Sequence, residues 1–347
     1  MQFLNGLDPD LKDSLKSQLR DLWSHTSTAI EGNTLTLGET KFVIEEGLTI
    51  SGKPLKDHNE VIGHAKAIDL IYDLVKAKQL TEGDLFNLHR AVINPSGYDF
   101  YKPVGAWKND INGANFYDET GKMHYIEFPA PAQIPKLMKS WIALFNSKLS
   151  IKTTKAGIEA YCELHSSFVC IHPFYDGNGR IARLVSNIPL LKTGYPPIII
   201  ENTKREAYIH LLSRYMASSG PNFPRPEKLI NPPALHLFER FCNNSLATSL
   251  EVIETIHAHQ RDRDKKNGIP DLVKDIFDPD IREKLILLLR EKFRLQTALS
   301  YSSNDPKRSE VERLQQKRAK ADLEKKLASL NLKIKHQRKK FRSNIRS

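Results

Sequence analysis

The sequence predicts a mainly α-helical protein with one small β-hairpin and a separate basic helix at its C-terminal end. Three observations carry that expectation. Apolar residues recur at three- and four-residue spacing along most of the 347 residues. The stretch 100–132 breaks that rhythm with Gly, Asn, Asp and aromatic residues. Charge is segregated, because residues 301–347 hold 15 of the 52 basic side chains and 5 of the 41 acidic ones, a net of +10 that leaves the rest of the chain at +1.

The elements follow in order. Leu11, Leu15, Leu19, Leu22, Trp23 and Ile30 mark an amphipathic helix over 11–30, and Gly32-Asn33 supplies its stop signal. A second helix is expected at 57–78, with Val61, Ala65, Ile68, Leu70, Ile71 and Leu74 on its apolar side, and a third at 81–94, before Pro95. In 100–132, the turn signal Asp118–Gly121 lies between two short β-like runs and predicts a hairpin or flap. Helices resume at 133–148 and 155–171, and another follows the run HPFYDGNGR until Tyr195-Pro196-Pro197 breaks it. The ranges 204–217 and 233–259 read as helices, 218–232 as a Pro/Gly-rich connector, and 270–300 as one or two helices. Ser302–Pro306 reads as a hinge. Beyond it Leu323, Leu327, Leu330, Ile334, Phe341 and Ile345 stripe a basic helix, about 60 Å long if fully formed.

Composition narrows the class. With 40% hydrophobic and 27% charged residues the chain has a core-forming, soluble make-up. No apolar run reaches the roughly 20 residues of a membrane-spanning helix, and the acidic start MQFLNGLDPD does not resemble a secretory signal. Cys162, Cys170 and Cys242 are odd in number and form no CxxC pair, which argues against a disulfide framework or a structural zinc site and for a reduced, cytoplasmic setting. An effector exported without a signal would carry the same sequence features.

The chemistry concentrates in residues 172–183, His-Pro-Phe-Tyr-Asp-Gly-Asn-Gly-Arg-Ile-Ala-Arg, between two predicted helices. Gly177 and Gly179 leave backbone amides free of Cβ obstruction, and the following helix points its unpaired N–H groups into the same space. Such a terminus binds anions, phosphates above all. Arg180 and Arg183 add forked donors suited to phosphate oxygens. Asp176 offers the hard oxygen that Mg²⁺ takes together with substrate phosphates. His172 titrates near neutrality and suits the role of general base toward a hydroxyl.

These residues resemble the signature of the Fic (Fido) family, HPFx(D/E)GNGRxxR, at every specified position. The similarity covers roughly residues 20–215 and includes the flap-like stretch, GYPP at 194–197, and Arg205 with Tyr208. The resemblance implies a Fic-type helical bundle with a small β-hairpin flap. It implies transfer of AMP from ATP, with Mg²⁺, to a Ser, Thr or Tyr hydroxyl of a target protein. By position, His172 would deprotonate that hydroxyl, Asp176 would hold Mg²⁺, and Gly177, Asn178 and Gly179 would form the anion nest. Arg180 would contact phosphates and pin the loop, and Arg183 would clamp the γ-phosphate. The flap departs from the family's Gly-aromatic-Arg start, since Gly105-Ala106-Trp107-Lys108 puts a lysine where a guanidinium fork is usual.

Residues 27–32, Ser-Thr-Ala-Ile-Glu-Gly, resemble the family's inhibitory motif S/T-x-x-x-E-G/N. Ser27, Glu31 and Gly32 carry the match, and Glu31 would pair with Arg183 and block the γ-phosphate position. An effective pair should be partly buried and bidentate. Two alternatives stay open: an enzyme using Glu31 to remove AMP with water, and a nucleotide-sensing regulator that binds nucleic acid. The tail 301–347 favours an anionic partner, nucleic acid first. A homodimer is also open. The expected organisation is an N-terminal region with the inhibitory helix (1–50), a catalytic core (51–217), a helical C-terminal region (218–300) and the basic tail (301–347). His89, His124 and His236 have no evident partners in the sequence, while His165 lies close enough to the loop to support it.

Overall fold

The structure of the protein is a computed structural model. It describes residues 1–93, 102–117, 123–219, 223–273, 276 and 279–302, with residues 310–312, 314, 315, 317–322, 324–326, 328, 329 and 332 of the tail. Among these residues the chain forms α1 (Pro9–Ile30), α2 (Leu37–Glu46), α3 (Leu55–Leu74), α4 (Glu82–Ile93), β1 (Gly113–Tyr117), β2 (Met123–Glu127) and α5 (Ile134–Ser147). There follow α6 (Thr154–Ile171), α7 (Asn178–Val185), α8 (Ile188–Lys192), α9 (Arg205–Ser218), α10 (Pro232–Lys266), α11 (Ile269–Val273) and α12 (Pro279–Ser302). The fold is mainly α with one small sheet, as the sequence predicts. No helix among the described residues is long and apolar enough to cross a membrane.

The chain forms two compact units, residues 1–5 with 13–254, and residues 6–12 with 255–347. In the first, α6 is the central helix. Tyr161, Cys162, Leu164, His165 and Phe168 are all fully buried along it, because α5, α7, α8 and α9 pack around it. A helix apolar on every side belongs in a core. Thr153 starts it, its side chain accepting from Ala156 N–H at 3.2 Å. One face of α6 meets Ile198, Ile200, Tyr208, Leu212, Phe238 and Cys242 in a continuous apolar cluster. The opposite side receives Trp141 of α5, whose indole donates to Leu164 O at 3.1 Å and Ser167 Oγ at 3.0 Å.

The sequence assigns no element to residues 34–56, yet α2 lies there. Its signal was present. Thr36 Oγ1 accepts from Glu39 N–H at 3.2 Å and Glu39 Oε2 accepts from Thr36 N–H at 2.8 Å, a reciprocal cap, and Gly47 closes the helix at φ 66°. Val43 then packs on Leu35 and Val61. The expected hairpin is present as an antiparallel pair with Asn115 opposite Tyr125. Its turn at 118–121 falls outside the described residues.

The second unit has its own small core of Ile269, Val273, Ile276, Leu285 and Leu289, formed by α11 and α12. Asp8 N–H donates to Gln260 Oε1 at 2.7 Å, and Arg263 pairs with Asp8 and Asp10 at 3.1 and 2.8 Å. The described tail residues from 310 onward are helical and exposed. The stripe of Leu323, Leu327, Leu330, Ile334, Phe341 and Ile345 lies outside the described residues, as does most of the Ser302–Pro306 hinge.

Candidate active site

The loop 172–177 leaves the C-terminal end of α6 and enters α7. His172 itself ends α6 in the left-handed region, φ 50° and ψ 59°, and is the one non-glycine with positive φ among the described residues. That conformation is disfavoured for a side chain bearing a Cβ and is held here by its surroundings. The ring lies parallel to Phe128, centroids 3.8 Å apart at 4°. His172 Nδ1 is 3.3 Å from Val169 O. Only an N–H can pair with a carbonyl, so the proton sits on Nδ1 and Nε2 keeps its lone pair. Burial first, and then the nearby Lys108 ammonium, push the His172 pKa down to about 4. The ring is therefore an unprotonated base at neutral pH.

The rest of the loop is pinned by its own amides. Asn178 Oδ1 accepts from Phe174 N–H at 2.9 Å while its Nδ2 donates to Phe174 O at 2.8 Å. Phe174 is fully buried. Gly177 N-caps α7 at φ 78°, a conformation suited to glycine. The first-turn N–H groups of α7 lack helical partners and open into the same space. Asp176 is exposed. Its Oδ1 accepts from Gly177 N–H at 2.6 Å and from Arg180 Nη2 at 3.4 Å, and no bond among the described residues takes its other oxygen. One open carboxylate beside an anion cradle fits Mg²⁺ carried in with phosphates, and no cluster of three or more His, Cys, Asp or Glu exists among the described residues to hold a metal alone.

Two arginines flank this cradle. Arg180 is buried and its Nη1 is 3.5 Å from Glu60 Oε1. Arg183 is also buried and every arm is engaged. Its Nε donates to Ser27 Oγ at 3.0 Å, Nη2 to Ser27 O at 2.8 Å and to Glu31 Oε1 at 2.7 Å, and Nη1 to Tyr208 OH at 3.2 Å. The pairing of Glu31 with Arg183 is thus present, but it uses a single oxygen rather than the expected bidentate fork, because Ser27 and Tyr208 take the other donors. Burial alone would raise the Glu31 carboxyl, yet the charge and hydrogen bond of Arg183 outweigh it and hold the pKa below its ordinary value. Glu31 sits so close to α7 that a Cβ on Gly179 would lie 2.7 Å from Glu31 Oε1. A side chain at 179 would push that carboxylate out of its present position.

The turn after α1 is itself tied down. Arg205 Nε donates to Ile30 O at 2.7 Å. Asn33 Nδ2 donates to Asp57 O at 2.9 Å and Glu60 Oε2 at 3.0 Å, and Thr34 bonds Asp57 Oδ2 through N–H and Oγ1 at 2.8 and 2.6 Å. Glu60 therefore touches both the Glu31–Asn33 turn and Arg180.

Sequence reasoning missed several contributors. His89 has partners after all, Gly105 N–H at 2.8 Å and Asp176 O at 3.1 Å, and it stacks on Phe174. Lys108 is buried, its N–H donating to Pro173 O at 2.9 Å and its ammonium to Asn112 Oδ1 at 2.5 Å. Burial pushes that ammonium down to about 8 against the pull of Glu127. His165, which the sequence already places close enough to support the loop, reaches the site through Tyr208, whose hydroxyl is 3.0 Å from His165 Nε2. Apart from Lys108 and Asn112, four residues apart, these partners are separated by 16 to 87 residues and leave no local pattern to read.

Comparison with known proteins agrees with the geometry. Residues 79–190 match the model of the Fic/DOC family. A protein named "Protein adenylyltransferase Fic" from Drosophila persimilis is 34% identical over 195 residues, 56% of this chain and 35% of that protein. Its counterpart from Drosophila willistoni is 33% identical with 36% of its length covered. The chain therefore spans about a third of these relatives. Among solved structures, a Fic domain containing signaling protein from Bacteroides thetaiotaomicron superposes with TM-score 0.60 and 27% identity, covering 73% of this chain and 93% of that one. Fic-1 from C. elegans superposes with TM-score 0.55 and 25% identity, covering 74% and 69%.

Proposed function

We propose, from the match of residues 79–190 to the Fic/DOC family, that this chain is a self-inhibited protein adenylyltransferase, moving AMP from ATP to a Ser, Thr or Tyr hydroxyl of a target protein. One observation supports this reading above the others. His172 has its Nδ1 turned to a backbone carbonyl, its Nε2 lone pair free and its pKa held low, at the rim of an anion cradle with two buried arginines.

In the proposed reaction the target hydroxyl gives its proton to His172 Nε2 while its oxygen attacks the α-phosphorus. The bond from that phosphorus to the bridging oxygen of the β-phosphate breaks, and pyrophosphate leaves. The α7 amides and Arg180 would hold phosphate oxygens, and Arg183, once released, the γ-phosphate. Asp176 would hold Mg²⁺, which when bound neutralises phosphate charge. The protein's part is positioning and charge stabilisation, the usual terms in phosphoryl-type transfer. With Glu31 on Arg183 the γ-phosphate position is occupied by a carboxylate, and ATP is kept from an in-line pose.

A second reading is favoured by Glu31 Oε2, which has no hydrogen-bond partner among the described residues. That oxygen could take a proton from water during removal of AMP from a modified protein. A third, nucleic-acid binding through residues 301–347, rests on the +10 charge segregated there.

Transfer of label from α-³²P-ATP with Mg²⁺, using wild type, Glu31→Gly and Glu31→Gly/His172→Ala, alone and with a host lysate, tests the proposal. Labelled protein only in Glu31→Gly supports transfer, the brake and the base together. No label in any variant, with ATP binding verified, overturns the transferase reading.

A further inference from the structure

Gly105 at the foot of the flap and Asp176 in the phosphate loop are 71 residues apart in sequence, and one side chain on α4 bonds both. Gly105 N–H donates to His89 Nδ1 at 2.8 Å. A backbone N–H can only donate, so Nδ1 must carry a lone pair. A neutral imidazole has one N–H, which is then on Nε2. His89 Nε2 lies 3.1 Å from the carbonyl oxygen of Asp176, where that proton is needed. Both ring nitrogens are matched to backbone groups of opposite kind, and neither role can be exchanged.

The surroundings fix the ring itself. His89 is buried and lies parallel to Phe174, centroids 4.0 Å apart at 8°. Its neighbour Arg90 donates from Nη2 to Gly105 O at 3.2 Å. Helix α4 thus holds the N–H and the C=O of Gly105 together with the C=O of Asp176. The Asp176 carboxylate hangs from the peptide so held, and the next residue, Gly177, begins the N-cap of α7.

We infer that His89 is a positioning residue that clips Asp176 to the foot of the flap and so sets the Asp176 carboxylate for Mg²⁺–ATP. The inference rests on the reading of this site as one for Mg²⁺–ATP. Groups behind a metal ligand that fix its orientation change metal affinity by about 10–100-fold when removed. A residue acting only as core filling would not do so once its shape is replaced.

His89→Phe keeps an aromatic ring against Phe174 and removes both hydrogen bonds. His89→Gln returns one acceptor and one donor. Both are placed in the Glu31→Gly background, and ATP affinity is measured by fluorescence of a labelled ATP with and without Mg²⁺, beside a thermal melt. Without Mg²⁺ the three proteins are expected to bind alike. With Mg²⁺, His89→Phe should require about tenfold more metal for half-maximal binding, and His89→Gln should recover part of the loss. A Mg²⁺-responsive parent with an unchanged His89→Phe overturns the inference alone. A parent indifferent to Mg²⁺ overturns the Mg²⁺–ATP reading and the inference with it. Should His89→Phe not fold, the ring tautomer of His89, read from ¹⁵N-histidine NMR of the wild type, decides: a proton on Nε2 supports the clip and one on Nδ1 refutes it.

Discussion

Glu31 holds Arg183 through one oxygen, Oε1 to Nη2 at 2.7 Å, while Ser27 takes two further bonds from the same guanidinium. The side chain of Glu31 is 37% exposed and that of Arg183 is 3% exposed. A half-exposed single-oxygen pair is a modest contact. Much of the hold on Arg183 comes from Ser27, which its motif position alone does not explain. On the proposed reading the brake would then be a matter of place more than of strength, with the carboxylate standing where a γ-phosphate would come.

Glu31→Gly removes that carboxylate and leaves Arg183 anchored by Ser27 and Tyr208. Transfer activity should rise at least about tenfold, equivalent to about 1.4 kcal/mol. Ser27→Ala loses the Oγ contact but keeps the bond to Ser27 O, so a smaller rise is expected. Initial rates of label incorporation compare the two. A larger effect from Ser27→Ala than from Glu31→Gly would show that the anchor, not the carboxylate, sets the inhibited state.

His172→Ala in the Glu31→Gly background should lower transfer by about 10²–10⁴-fold with ATP binding retained, the range for loss of a positioned base. Burial, then the Lys108 charge, holds the His172 pKa near 4. The acid limb of kcat/KM should therefore lie below the ordinary histidine value of 6.5. Lys108→Met removes a positive neighbour, makes the imidazolium easier to form and should move that limb upward, while Lys108→Arg should leave it close to the parent. A limb unmoved by Lys108→Met would separate the lysine from the base.

How much of this was legible depends on whether a role is local in sequence. His172, Asp176, Gly177, Asn178 and Gly179 lie in one run whose geometry follows from a helix end and a helix start, and the site brings them together. Ser27 and Glu31 were legible only by resemblance, and the resemblance did not reveal that Ser27 takes more of Arg183 than Glu31 does. Helix α2 was missed because its core contribution is small, although Thr36 and Glu39 spell out its cap. Lys108 read as a departure from the usual arginine. It is buried instead against Asn112, where a compact ammonium fits. His89 was illegible because Gly105 and Asp176 come to it only through folding.

The basic tail makes a separate prediction. If residues 301–347 bind nucleic acid through phosphates, affinity should fall steeply with salt, with a slope of about −0.9 per phosphate contact in a plot of log K against log salt. Fluorescence anisotropy with duplex DNA at several salt concentrations measures it. Deleting 301–347 should abolish binding and leave label transfer by Glu31→Gly intact. Salt-independent binding, or binding that survives the deletion, would assign the charge to something other than phosphate contact.

Acid should destabilise the fold through histidines that are buried uncharged. Burial pushes His172 and His89 down to about 4 and His165 to about 3, with the Arg183 charge adding to the last. Burial also holds His64 well below its ordinary value, helped by the charges of Arg183 and Arg180. Above pH 6.5 these rings are neutral whether the chain is folded or not. Between 6.5 and about 4 the unfolded chain takes up protons that the folded one refuses, so stability is lost as pH falls through that window. At pH 5 the loss is about 2 kcal/mol for each of His172, His89 and His165, from 1.36 kcal/mol per unit of pKa. Glu31, whose carboxyl is held below its ordinary value, adds a further loss only in more acid solution. Thermal melts at pH 7.5 and pH 5.0 test this, and Tm should drop by several degrees or more. An unchanged Tm would mean that these rings accept protons within the fold, and with that the free base assigned to His172 would be lost at mildly acid pH.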